Sequence, residues 1–349
     1  MKIYFLVLFL SISVCSDLHA QEITLLFAGD AMQHQNQLEA AYCNGKYDYS
    51  SYFQYVQPEI EVADIAVVNL ETTLGGKPYK GYPMFSSPDS FAGALKNAGF
   101  DVFLNANNHI LDRFSGGLKR TINVLDSLDV LHTGVFRDSL ERELYYPLMV
   151  EKKGFRIAFL NYTYGTNGIK PVLPAVVNYI DTVQVKKDIQ KAKAQQADII
   201  IANMHWGDEY KLLPNKTQKK LAQFLVREGV DIVMGSHPHV VQPSQALSDS
   251  TGQINNLIIY SLGNFVSGMT AVNTDGGQMI KIVLSKQWNQ AKIVSYEYAL
   301  VYVARIKNSK TTDYTLIPAD MNLDLDKNTR FKMKRFTNNA RKLFEQHNR

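Results

Sequence analysis

Short apolar runs and longer amphipathic stretches alternate along this chain. Residues 23–28, 65–68, 100–104, 155–160, 198–204, 230–234 and 256–260 are each compact and dominated by Val, Ile, Leu, Phe and Ala. Such short, nearly continuous runs suit strands buried on both faces. Between them, residues 88–99, 117–128, 182–196 and 215–228 read as helices. In the second of these, Leu118, Ile122, Leu125 and Leu128 recur at spacings of three and four, which places them on one helical face. Gly99 and Gly229 follow two of these helices as stop signals. Residues 130–132 read as a short strand, and residues 35–60 as a polar, Tyr-rich loop with a short helix. The alternation predicts an α/β fold with mostly parallel strands covered on both faces.

The texture changes near residue 278. Residues 278–284 and 291–305 alternate as antiparallel strands do, without helices between them. Residues 306–326 are polar and read as irregular. Residues 328–347 form a basic amphipathic helix with Phe331, Phe336, Ala340 and Leu343 along one side, predicted to dock on the core. No internal repeat or low-complexity tract interrupts the chain.

Composition adds limits. With 46% apolar and 20% charged residues, the 349-residue chain is an ordinary globular sequence and not a disordered one. A net charge of +4 over this length gives no argument for nucleic-acid binding. At the N-terminus, Lys2 precedes an uncharged apolar run over residues 3–14, and small and polar residues follow to Ala20. This reads as a secretory signal peptide cleaved after Ala20. The run is shorter than the roughly 20 residues of a spanning helix. Export to the periplasm or cell surface is therefore expected. Cys15 keeps lipid anchoring open as an alternative, although Val14 is larger than the small residue that usually precedes a lipidated Cys. After cleavage only Cys43 remains, so the mature chain holds no intrachain disulfide.

Chemistry gathers where the strands end. Asp30, then Asn69 and Glu71, then Asn108 and His109, then His205, then His237 and His239, and Asn264 all follow or close apolar runs. Open α/β sheets bind ligands at the carboxyl edge of their strands. Taken singly, each residue has a plainer explanation. An Asp after a strand is often a helix N-cap, Asn-rich stretches make turns, and a His beside Trp206 can be a satisfied buried histidine. Six strand ends carrying such residues together read as a metal centre. Mixed carboxylate, amide and imidazole donors suit Zn, Mn or Fe. The lack of Cys argues against a closed structural zinc site. Glu71 could bridge two ions, as carboxylates do in two-metal hydrolytic sites. His109, next to Asn108, could donate a proton to a leaving group. Pro238, between His237 and His239, is expected to hold that link extended. His34 and His132 lack a comparable context and stay outside the set.

Six ordered motifs carry a resemblance: Gly29-Asp30-Ala31-Met32, Asn69-Leu70-Glu71, Ala106-Asn107-Asn108-His109 with Asp112, His205-Trp206-Gly207, Gly235-Ser236-His237-Pro238-His239 and Tyr260-Ser261-Leu262-Gly263-Asn264-Phe265. Over residues 22–270 the chain resembles the CapA family of bacterial capsule, or poly-γ-glutamate, synthesis proteins. That family is in turn similar to the calcineurin-like metallophosphoesterases. The resemblance implies an α/β, metallophosphatase-like α-β-β-α sandwich of two mixed β-sheets flanked by helices. It implies one metal held by Glu71, Asn108, His205 and His237, a second held by Asp30, Glu71 and His239, and His109 as the acid. The chain departs from the phosphoesterases at Met32, where they carry the His of Asp-x-His, so the position of Asp30 and His239 is one ligand short. The expected organisation is a signal peptide over 1–20, a CapA-like domain over 21–305 and a C-terminal extension over 306–349.

Three functions follow from this reading. The first is an exported protein of capsule or poly-γ-glutamate biosynthesis with a metal-dependent hydrolase site holding one or two divalent ions. Its scissile bond is a phosphoester or an amide, and membrane-bound capsule synthesis proteins are its expected partners. The second is a non-catalytic module that binds or guides an anionic polymer. The third is a general exported metallophosphoesterase. Asn69, Asn264 and Asn167 are the expected substrate contacts, with the segments 161–168 and 79–85 lining the cleft.

Overall fold

The structure is a computed structural model that describes residues 20–288, 290–307 and 312–349. Cys15 and, Ala20 apart, the expected signal peptide lie outside the described residues. The first half runs β1 (Gln21–Ala31), α1 (Gln35–Ala41), a small hairpin of β2 (Tyr42–Cys43) and β3 (Lys46–Tyr47), α2 (Gln57–Glu61), β4 (Ile65–Leu70), α3 (Asp89–Asn97), β5 (Val102–Leu104), α4 (Phe114–Ser127) and β6 (Leu131–Thr133). The second half runs β7 (Val135–Phe136), α5 (Ser139–Tyr145), β8 (Leu148–Lys152), β9 (Phe155–Thr163), β10 (Val176–Val177), α6 (Thr182–Ala194), β11 (Ile199–His205), α7 (Lys216–Glu228) and β12 (Ile232–Ser236). Strands β13 (Ser244–Ser248), β14 (Ile254–Ile259), β15 (Asn264–Val266), β16 (Gly276–Gln287), β17 (Gln290–Lys307) and β18 (Thr312–Pro318) follow, and α8 (Lys327–His347) ends the chain.

The strands form two layers. In one, β6, β5, β4 and β1 are parallel, and β16 and β17 continue the sheet antiparallel. In the other, β14, β12, β11 and β9 are parallel and β8 closes the edge antiparallel. Among the described residues, the bridge of Ile254 with Ile293 joins the layers into one hydrogen-bonded path. Side-chain alternation explains the packing. Leu25 and Phe27 of β1 face the shared core with Val67, Val102, Ile157, Phe159, Ile201 and Ile259, whereas Leu26 and Ala28 face the core under α3 and α4. A third core lies under α6 and α7, on the outer side of the second layer. The result is the α/β fold that the alternation predicts, arranged as the mixed, helix-flanked sandwich that the family resemblance implies.

One device sets the register of the parallel strands. Asp64, Asp101, Asp198 and Asp231 each stand just before or at the opening of a strand. Each carboxylate accepts a hydrogen bond from a neighbouring strand's backbone: Thr24 N at 2.9 Å, and Ala66, Arg156 and Ile200 N at 2.8 Å. Each Asp N–H in turn donates to the carbonyl of that same residue. The pairs leave no strand-opening amide unsatisfied at these positions.

The C-terminal region differs from the sequence reading in two respects. Residues 312–318 are not irregular but form β18, antiparallel to β17 from Val301 opposite Pro318 to Lys307 opposite Thr312. The alternation of Tyr314 and Leu316, both buried, was masked by polar neighbours. Helix α8 docks as expected, but Phe331 is exposed. The buried face is Met333, Phe336, Ala340, Leu343 and Phe344, packed on Leu300, Tyr302, Ala304 and Ile317. Phe331 falls five residues before Phe336, off the three-four spacing of that face. Among the described residues no helix is long and apolar enough to cross a membrane.

Candidate metal centre

The parallel strands of both layers deliver their carboxyl ends to one rim. Asp30 closes β1 beside its register partner Asn264 at the start of β15. Asn69 is in β4 and Glu71 follows it; Asn108 and His109 lie in the turn after β5; His205 ends β11, and His237 and His239 follow β12. Two glycines make this convergence possible. A Cβ on Gly29 would lie 1.9 Å from the Gly263 carbonyl oxygen, and one on Gly235 would lie 1.9 Å from that of Tyr260. Only glycine admits such backbone approach. The Pro238 link is bent where an extended shape was expected: His237 has φ 95° and His239 φ 57°. Two non-glycine residues at positive φ, one on each side of Pro238, are costly, of order 1–3 kcal/mol each, and such strain concentrates at functional sites. The bend points the two imidazoles to different partners.

Glu71 is the hub. It is fully buried, and its Oε1 lies 3.5 Å from His205 Nε2 and 3.7 Å from His239 Nε2. That oxygen has no hydrogen-bond partner. Among the described residues, ligand atoms of Glu71, His205 and His237 lie within 4.8 Å of one another, and so do those of Asp30, Glu71 and His239. Asn108 Oδ1 is 2.7 Å from His205 Nε2 and so joins the first group. The tautomers follow from the outer contacts. His239 Nδ1 faces two acceptors, Asp30 Oδ2 and Asn264 Oδ1, each at 3.1 Å. It therefore carries the proton and leaves the Nε2 lone pair toward Glu71. His205 Nδ1 meets the Ser236 hydroxyl at 3.0 Å and the Asn69 Nδ2 amide at 3.4 Å, while its Nε2 donates to Asn108 Oδ1, a proton that a bound ion would replace. His237 Nδ1 is buried without a partner.

The electrostatics point the same way. Burial, and then Asp30 beside it, pushes the Glu71 carboxyl well above its ordinary range. Burial, and then His237, holds His205 well below the usual imidazole value, while burial and His239 bring His237 down to about 3. The neutral His205 and His237 imidazoles and the crowded Glu71 carboxylate with its orphaned oxygen suit a bound cation. The mixed oxygen and nitrogen donor set fits a divalent ion such as Zn, Mn or Fe.

Other expected residues sort by burial. Asn69 and Asn264 are buried and do not face a substrate surface. Asn69 Nδ2 donates to Asp30 Oδ1 at 2.8 Å, and Asn264 uses Oδ1 on His239 and Nδ2 on the Thr274 carbonyl at 2.8 Å. Both amides orient ligand side chains. Asn167 is exposed, and its Oδ1 accepts from Asn108 Nδ2 at 3.3 Å. His109 Nδ1 lies 2.7 Å from Asp112 Oδ2, which also accepts the Phe85 N–H at 2.7 Å. Phe85 packs edge-on against the His109 ring at 4.6 Å, and the exposed Tyr82 lies beyond it at 6.4 Å. Tyr164 covers His237 at 4.5 Å. The segments 79–85 and 161–168 thus border the site. Met32 is buried and carries no donor of the imidazole or carboxylate kind. His34 stays outside the ligand groupings, its Nδ1 accepting the Gly268 N–H at 3.2 Å. One residue was overlooked in the sequence: the Glu209 carboxylate forms a third grouping with His237 and His239. The signal was its position four residues after His205, in the loop leaving β11.

Comparisons with known proteins agree with this picture. The family model for the bacterial capsule synthesis protein PGA_cap matches residues 24–269. The chain is 29% identical over 260 residues to the "Capsule biosynthesis protein CapA" of Bacillus anthracis, covering 70% of this chain and 60% of that protein. It is 29% identical over 252 residues to the "PGA biosynthesis protein CapA" of Bacillus subtilis, covering 68% and 62%. The chain thus spans about 60% of the length of these relatives. Among solved structures, the calcineurin-like phosphoesterase YfkN of Bacillus subtilis superposes with TM-score 0.50 at 14% identity, over 92% of this chain and 98% of that one. The NAD nucleotidase of Haemophilus influenzae superposes with TM-score 0.51 at 14% identity, over 92% and 63%. These likenesses establish the metallophosphoesterase-like fold.

Proposed function

The chain belongs to the bacterial capsule synthesis protein family, and from that premise we propose that it is an exported protein of capsule biosynthesis whose strand-end cluster is a divalent-metal hydrolase centre acting on an anionic polymer. The observation that carries this reading is the buried carboxylate Glu71, shared by two histidine-bearing ligand groups and with one oxygen unpartnered. Glu71, Asn108, His205 and His237 would hold one ion, and Asp30, Glu71 and His239 another. A divalent ion bound there would supply Lewis acidity toward a phosphoryl or carbonyl oxygen.

The chain's own residues supply the rest. Asp112 fixes the His109 ring by its Nδ1, which leaves Nε2 as the atom that hands a proton to a leaving group. Asn69, Asn264 and Ser236 hold the ligand side chains in place through their second polar atoms. Tyr82 and Tyr164, exposed beside His109 and His237, offer faces for a substrate chain. The name of the Bacillus subtilis relative supports poly-γ-glutamate as the polymer. The bond cleaved is then an amide within the polymer or a phosphoester of a precursor.

A second reading is favoured by one observation. Met32 leaves the Asp30 and His239 group with three members in the buried layer, which suits a polymer-binding module with one structural ion. The test is turnover of a generic phosphodiester and of poly-γ-glutamate by the purified, metal-loaded protein. Hydrolysis of either that is lost in His109→Ala supports the enzyme. Tight polymer binding with no turnover by the wild type selects the binding module.

A further inference from the structure

The two metal groupings are unequally furnished. Glu71, His205, His237 and Asn108 give four donors, whereas Asp30, Glu71 and His239 give three. Ions in mixed oxygen and nitrogen sites take four or more ligands, and a hydrolytic ion with three from the protein draws the rest from water or from a further side chain within reach. The solvent side of the weaker grouping holds one further carboxylate. Glu209 is exposed, yet its carboxylate oxygen lies within 4.8 Å of the ligand nitrogens of both His237 and His239.

The backbone puts it there. After β11 the chain turns at Gly207, at φ 91°, where a Cβ would meet the Gln218 side chain at 2.7 Å. Tyr210, itself at φ 65°, then donates its N–H to the Pro238 carbonyl at 2.8 Å. That bond latches the loop bearing Glu209 to the bend bearing both histidines, and Tyr210 packs 6.3 Å from the His239 ring. Two left-handed residues and a backbone latch are more than an incidental surface acid needs. Charge also calls for it. Two divalent ions carry four positive charges against the two buried carboxylates Asp30 and Glu71, and a third carboxylate lowers that excess where the ions face solvent.

Resting on the metal-centre reading, we propose that Glu209 is the fourth protein ligand of the Asp30, Glu71 and His239 position, entering from the solvent side. It takes the place that Met32 cannot fill. As the one ligand of that ion on an exposed loop, it is also the ligand an incoming anionic group would meet first.

The test is binding of Mn2+ alone to the full chain, followed by calorimetric titration, elemental analysis and the electron paramagnetic resonance signal of coupled Mn2+ pairs. The wild type is expected to take two ions with a coupled spectrum. Glu209→Ala is expected to keep one ion at wild-type affinity, to bind the other at least about tenfold more weakly, and to lose the coupled signal at low Mn2+. Asp208→Ala removes the same charge one residue away and is expected to retain both ions, which separates ligation from a general field effect. Because Glu209 is exposed, the metal-free variant should melt with the wild type. Two tightly bound, coupled ions in Glu209→Ala overturn the proposal, as does an equal loss in Asp208→Ala. A wild type that binds no Mn2+ overturns the metal centre itself, a result distinct from either.

Discussion

Replacing Glu71 by Gln separates the two things this carboxylate does. The side chain is fully buried, and Gln conserves its volume. In the metal-free protein the carboxylate is an uncompensated acid crowded by Asp30, and burying such a group costs several kcal/mol. The metal-free Glu71→Gln protein should therefore be at least as stable as the wild type. With metal the order reverses. An ion at 100 times its Kd adds about 2.7 kcal/mol, so two ions add about 5.4 kcal/mol. Unfolding entropy of about 2.1 cal/mol/K per residue gives about 0.7 kcal/mol/K for 349 residues. The wild-type melting temperature should then rise by about 7 °C on metal addition. Because Glu71 belongs to both ligand groups, its loss weakens both ions. A hundredfold loss at each leaves a shift of about 1 °C at the same metal concentration. The assay is thermal unfolding of chelator-treated protein with and without Mn2+ or Zn2+. An undiminished shift in Glu71→Gln refutes the bridging role. A metal-free variant much less stable than the wild type shows instead that Glu71 serves as a structural partner of the histidines.

Three other outcomes follow from the same structure. Asp112→Asn removes a charge-assisted hydrogen bond of about 1.5–3 kcal/mol from His109, so kcat on a phosphodiester should fall about 10- to 100-fold with metal content unchanged; an equal loss of metal points to a role at the ions. Burial raises the Asp231 carboxyl to about 6, above its unfolded value, so the contribution of this group to wild-type stability should fall as the pH rises from about 4 through 6. The stability of Asp231→Asn relative to the wild type should grow over that window and reach up to about 3 kcal/mol at pH 7.5 in urea unfolding; a parallel pH dependence in both proteins contradicts this. Phe336→Ala empties the contact between α8 and Tyr302 and should destabilise the chain by about 3–5 kcal/mol in the same assay, whereas a neutral result means α8 is not docked there.

Much of this site was legible because parallel strands announce themselves. An apolar run followed directly by a polar, ligand-type residue marks both a strand and its carboxyl end, and so Asp30, Glu71, His205 and His237 could be placed on one rim before any contact was known. The division of His237 and His239 between two groups was implied by a resemblance; the geometry puts His237 with Glu71 and His205, His239 with Asp30 and Glu71, and both with Glu209. What stayed hidden depended on tertiary contacts. The bend at Pro238 runs against the extended preference of a residue before proline. Asn69 and Asn264 look like surface amides in sequence, and only the fold shows their hydrogen bonds to Asp30 and His239. Glu209 lies in a polar loop and gains its meaning from the latch between Tyr210 and Pro238. Strand β18 is legible only once β17 is there to pair with it.

Two ions sharing Glu71 at one rim are the core of the proposed metal centre. Anomalous X-ray diffraction from crystals grown with Mn2+ tests it most directly. Two anomalous peaks about 3.5–4 Å apart are expected, both at the Glu71 carboxylate, one against His205, His237 and Asn108 and the other against Asp30 and His239. No anomalous density at this rim in well-ordered, Mn2+-saturated crystals would contradict it.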